Sequence, residues 1–179
     1  MPGAKKPAGQ KKYRAVILCC GDMDRADDAI GPLCAAALQE RKIPVRTIHG
    51  NTSELLEAWH DAQKVIVVDA IVTGQARPGT LHRMRASDPW FQPAAARCSA
   101  QGRGLAQAFR LASVLKCLPD PLVLLGLEAA EFDWSATQSP EVVAALPALV
   151  AAVENEWRQL TDVRPPPRAI PPALHSQRT

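Results

Sequence analysis

A three-layer α/β/α sandwich around a mostly parallel sheet of about five strands is predicted for this chain, and three observations predict it. Apolar runs at 15–20, 64–70 and 122–127 are short, rich in branched side chains, and continuous rather than alternating, as strands buried on both faces of a parallel sheet are. The stretches between them carry apolar residues at helical spacing. Each run also leaves through a glycine or an acid, Gly21, Asp69 and Glu128, which marks the carboxyl edge where open α/β sheets bind ligands.

The elements follow in order. Residues 1–14 are rich in Lys, Gly and Pro and are predicted to be a disordered basic arm before a folded body over 15–160. After the first strand, Ile30, Leu33, Cys34, Ala37 and Leu38 define a helix over 27–41, with Pro32 acceptable in its first turn. Val45 to His49 reads as a shorter strand. Asn51-Thr52-Ser53-Glu54 then opens a helix that places Leu55, Leu56 and Trp59 on one face. Lys64 to Ala70 is the clearest strand, and the alternation over Thr80 to Arg85 fits an edge strand or hairpin partner. Residues 87–101 read as a long loop of the kind that carries function. A helix over 105–117, a strand over 122–127 and a helix from Ser139-Pro140-Glu141 to Leu160 complete the body, with Pro147 expected to bend the last helix. Pro165-Pro166-Pro167 and Pro171-Pro172 mark 161–179 as a disordered tail.

Charge excludes one class of partner. The net charge of +3 arises in residues 1–14 and 163–179, which hold eight of the 21 Lys and Arg and no acid. The remaining 13 basic groups face 18 acidic ones, so the body is acidic and lacks the basic face of a nucleic-acid binder. No apolar run is long enough to span a membrane and no secretory signal is evident, so a cytoplasmic protein is expected. Five cysteines without CxxC spacing argue against a disulfide framework and a four-cysteine zinc site.

Chemistry concentrates after the first strand, where Asp22, Asp24, Asp27 and Asp28 crowd one turn. Asp28 and Asp69 each follow a central strand. Two carboxylates meeting at that edge can bind a divalent cation or share a proton; the alternative is that Asp69 caps a turn and Asp28 favours a helix start electrostatically. Gly21-Asp22-Met23-Asp24-Arg25-Ala26 lacks the further glycines of a dinucleotide fingerprint, and its acids would repel phosphate. Arg25 either neutralises these acids or is solvated. No HExxH motif or convincing nucleophile triad is present.

The segment Cys20-Gly21-Asp22 through Arg25-Ala26-Asp27-Asp28-Ala29-Ile30-Gly31-Pro32 resembles the opening motif of the maturation endopeptidases of [NiFe]-hydrogenases. Gly50-Asn51-Thr52, Val67-Val68-Asp69-Ala70, Pro78-Gly79-Thr80, Gly126-Leu127-Glu128 and Ser139-Pro140-Glu141-Val142 follow in that family's order, so the resemblance spans about residues 15–158. It implies an endopeptidase that recognises nickel held by the precursor of the hydrogenase large subunit and removes a C-terminal peptide. The alternative is a non-catalytic relative that binds the immature subunit as an assembly factor. A monomer is expected, with the precursor as partner and nickel recognised rather than kept. The family's nickel-contacting acids carry over to Asp28 and Asp69, which become the expected catalytic and metal-contacting residues. Its third contact is a histidine, and Ser99-Ala100-Gln101-Gly102 puts Gln101 there, an amide where imidazole would suit nickel better. Three accounts remain: Gln101 supplies an amide oxygen or holds a water, His49, His82 or Cys98 substitutes, or catalysis is lost.

Overall fold

The computed structural model describes residues 13–60, 62–88, 97–98, 103–134 and 137–161. The chain forms β1 (Tyr13–Cys20), a 3-10 turn (Ala26–Ala29), α1 (Ile30–Glu40), β2 (Arg46–Ile48), α2 (Thr52–His60), β3 (Ala62–Val72), β4 (Leu81–Arg85), β5 (Arg97–Cys98), α3 (Arg103–Val114), β6 (Leu122–Glu128) and α4 (Pro140–Thr161). The main path of the sheet is β2-β1-β3-β6-β4. Its first four strands are parallel, and β4 returns antiparallel to β6. The predicted five-stranded, mostly parallel sandwich is therefore present.

The layering follows from the alternation of side chains along β3. Ile66, Val68 and Ala70 join Ile17, Cys19 and the buried faces of α1 and α4 in one cluster. Val65, Val67 and Ile71 join Leu18, Cys20 and residues of α2 and α3, including Leu55, Trp59 and Phe109, in the other. Both faces of β3 are thus covered, which is why its sequence is a run of apolar residues and not an alternation. Each fully buried branched side chain contributes roughly 1.5–3 kcal/mol.

The structure departs from expectation where tertiary pairing extends or interrupts a local pattern. β3 runs two residues past Ala70, because β5 pairs antiparallel with Ile71 and Val72 beyond the end of β1. The predicted loop over 87–101 therefore contains a strand too short to leave a periodic signal. The first helix is preceded by a separate 3-10 turn that the helical spacing absorbed. α3 stops before its expected end because Lys116 adopts φ 53° and the Cys117 amide bonds the Ala112 carbonyl at 2.9 Å, a reversal that satisfies the last turn. α4 continues through Pro147 to Thr161. The segments expected to be disordered lie outside the described residues, except Tyr13, Arg14 and Thr161, which belong to β1 and α4.

Candidate active site

The chain leaves β1 for β2 on one side of the sheet and later returns to β3 on the other, so the topological switch point lies between β1 and β3. The carboxyl ends of both strands meet there. Two glycines close the turn after β1. Gly21 has φ 138° and packs where a Cβ would lie 2.0 Å from the Asp28 carbonyl oxygen, and a Cβ on Gly31 would lie 1.8 Å from the Cys20 carbonyl oxygen. Side chains at either position would push the acidic turn away from the end of β1.

This turn brings Asp28 to Asp69. Asp28 is 1 % exposed in the 3-10 turn, and Asp69 is 3 % exposed inside β3. Burial, then the charge of Asp28, raises the Asp69 pKa well above the ordinary carboxylate value, against a smaller lowering by the Ala70 backbone N–H. One Asp69 oxygen, Oδ1, is buried without a hydrogen-bond partner among the described residues. Asp69 lies inside β3 and not at a turn. A strand-borne carboxyl with an unmet oxygen, facing a second acid, is a hard-donor pair suited to a cation or a shared proton.

The neighbouring acids have other tasks. Asp27, in the same turn, is fully buried. Its Oδ1 accepts from the Ser139 amide at 2.7 Å, and its Oδ2 accepts from Ala130 N at 2.8 Å, Glu131 N at 3.1 Å and Ser139 Oγ at 2.9 Å. It fastens the loop between β6 and α4 to the turn that carries Asp28. No spacing rule could have found partners more than a hundred residues away. Asp22 has the expected turn role, accepting from Asp24 N at 3.0 Å. Arg25 neither pairs with an acid among the described residues nor meets solvent. It is 6 % exposed, donates from Nη2 to the Phe132 carbonyl at 3.0 Å, and lies 5.1 Å from the Trp134 ring centroid.

Glu128 was missed as an organising residue. Its Oε1 accepts from Thr73 N at 2.8 Å and Gly74 N at 3.2 Å, and its Oε2 accepts from Thr73 Oγ1 at 2.9 Å. His82 Nε2 lies 2.9 Å from the same Oε2. His82 is thus engaged in holding the turn after β3, and His49 is exposed. Among the described residues no group of three His, Cys, Asp or Glu is placed to hold a metal. Neither histidine joins Asp28 and Asp69 as a third ligand. Gln101 lies outside the described residues, as does the Cys98 side chain. The described positions flanking residues 99–102 both sit at this edge. Cys98 pairs with Ile71 near the end of β3, and the Gly104 carbonyl accepts from Thr52 Oγ1 at the start of α2. A cavity of about 360 Å³ lined by Ala15, Val16, Pro44, Val45, Arg46 and Ala58 lies near the opposite edge and contains none of these acids.

Fold and site together define an open α/β protein with a buried carboxylate pair at its switch point. The family model for HycI, hydrogenase maturation protease, matches residues 34–156. The hydrogenase expression/formation protein HupM from Azotobacter chroococcum mcd 1 is 34% identical over 146 residues, covering 77% of this chain and 69% of that protein. This chain belongs to the hydrogenase maturation protease family. Its fold is similar to that of the hydrogenase maturating endopeptidase HybD from E. coli, with a TM-score of 0.70 at 24% identity over 82% of this chain and 93% of the other. The [NiFe] hydrogenase maturation protease HybD from Thermococcus kodakarensis gives 0.64 at 23% identity, covering 80% of this chain and 99% of that one.

Proposed function

We propose that this chain is the endopeptidase that removes a C-terminal peptide from a nickel-loaded hydrogenase large-subunit precursor, with Asp28 and Asp69 contacting the nickel that the precursor carries. The observation that carries the reading is the buried Asp69, one oxygen unmet, facing Asp28 at the switch point. Alone, the two carboxylates disfavour each other's ionised forms. A dication presented by the substrate reverses that preference, because both acids then gain an opposite charge in a poorly hydrated site. A precursor without nickel offers no such compensation, so the pair discriminates loaded from unloaded substrate through binding free energy. By resemblance the third contact position falls on Gln101, whose donor would be an amide oxygen. The enzyme acts as a cytoplasmic monomer, and no helix among the described residues is long and apolar enough to cross a membrane.

The test is incubation of the full chain with nickel-loaded and nickel-free precursor, followed by intact-mass measurement. Loss of a C-terminal fragment from the loaded form alone is expected. An uncut loaded precursor that nevertheless binds the protein would replace the protease reading with that of an assembly factor. Gln101→His is expected to raise the cleavage rate of the loaded precursor, and a fall in that rate would show that the amide itself is required.

A further inference from the structure

Beside the carboxylate pair lies a surface whose residues play no part in metal contact. It is built from the turn after β1 and the loop after β6, which Asp27 and Arg25 join. Asp27 accepts four hydrogen bonds from the loop side. Arg25 bonds the Phe132 carbonyl and stacks with Trp134, while its own carbonyl accepts from Asp28 N at 2.8 Å. The platform is thus tied to the site within one turn of chain.

Two large apolar side chains stand on this pre-organised base, Trp134 at 75 % and Met23 at 50 % exposure. Carboxylates of Asp24, Glu131 and Asp133 are exposed around them, and Asp22 is half-buried. The cation in the group, Arg25, is 94% buried by its 6 % exposure, and its Nε is a buried donor without an acceptor. An exposed indole costs free energy in water, and a buried unmet donor costs about 1–3 kcal/mol. A docked chain that covers the ring removes the first of these costs. Its charge follows from the rim: acids without an exposed cation among them favour a basic partner.

We propose that Met23, Arg25 and Trp134, with the acids around them, form the docking surface for the precursor, and that the segment they hold combines an apolar side chain with lysine or arginine. This rests on the protease reading for the identity of the partner, but not for the chemistry of the segment. Trp134 and the rim acids are then specificity determinants, acting on substrate binding rather than on the cleavage step.

Two fluorescent peptides of equal length test the chemistry, one alternating Leu with Lys and Arg, the other Leu with Glu. The full chain is expected to bind the basic peptide and not the acidic one. Trp134→Ala, and separately a combined Asp24→Asn, Glu131→Gln and Asp133→Asn variant, should each weaken the basic peptide at least about tenfold. On nickel-loaded precursor the same variants should raise KM by a similar factor and leave kcat within about twofold. Equal binding of the two peptides, or unchanged Kd and KM in both variants, would overturn the proposal. If Lys5, Lys6, Lys11 and Lys12→Gln in the full chain tightens peptide binding tenfold or more, the chain's own arm is the occupant and the proposal fails. If wild type cuts no precursor while the peptide preference and its loss in the variants hold, the protease reading fails and the docking chemistry stands.

Discussion

Burial and the facing Asp28 hold the Asp69 pKa above its unfolded value, so folding must overcome the ionisation of this group wherever the unfolded chain would have lost the proton. The penalty is absent below the unfolded carboxyl range near about pH 4, grows as pH rises towards the raised folded value, and is complete above it. Asp69→Asn removes it. The variant should melt at a higher temperature than wild type near pH 7, with the gap closing towards about pH 4, while cleavage is abolished; thermal melts across that range read the first effect, and a lower melting temperature at neutrality would contradict it. Asp27→Ala should act in the opposite direction, leaving three backbone amides and a hydroxyl without their acceptor and costing about 3 kcal/mol or more, measured by urea unfolding. Asp69 lies in β3 and Asp27 in the acidic turn, and only the first stood out in the chain. Asp69 was readable because it interrupts an apolar run, whereas the task of Asp27 depends on a loop far away in sequence.

At the scale of elements, strands with both faces covered announced themselves by apolar runs and the edge strand β4 by its alternation, whereas the two-residue β5 did not. β3 and β6 are unbroken apolar runs because helices pack on each side of them. β5 has two residues and draws its stability from Ile71 and Val72, so nothing in its own composition marks it. β4 alternates for a different reason: Arg83 reaches out to Glu156 of α4, with Nε to Oε2 at 2.8 Å and Nη2 to Oε1 at 3.0 Å. Glu156 is 4 % exposed, so removing its partner strands a buried carboxylate. Arg83→Met should therefore destabilise by about 3 kcal/mol, and pairing it with Glu156→Met should recover most of the loss in a double-mutant cycle. Full additivity of the two substitutions would show that the clamp carries no coupling.

For the molecule as a whole, the sheet separates two apolar clusters that meet the site differently. Trp59 and Phe109, with ring centroids 5.6 Å apart, seat α3 against α2 in one of them. Phe109→Ala should cost about 3–5 kcal/mol, and it should lower cleavage of loaded precursor because α3 begins where residues 99–102 end; unchanged activity in a destabilised protein would uncouple that helix from the site. The path of the chain has one more effect. Tyr13 pairs with Ala62 at the amino edge, and Lys64 Nζ donates to the Leu160 carbonyl at 2.5 Å, so β1 starts and α4 finishes on the side away from the carboxylates. The acids of the turn lie at the other side. A basic partner approaching through dilute salt is thus turned towards the acidic end before any contact forms. Association with precursor should accordingly slow as ionic strength rises, while the rate of cutting after capture stays level.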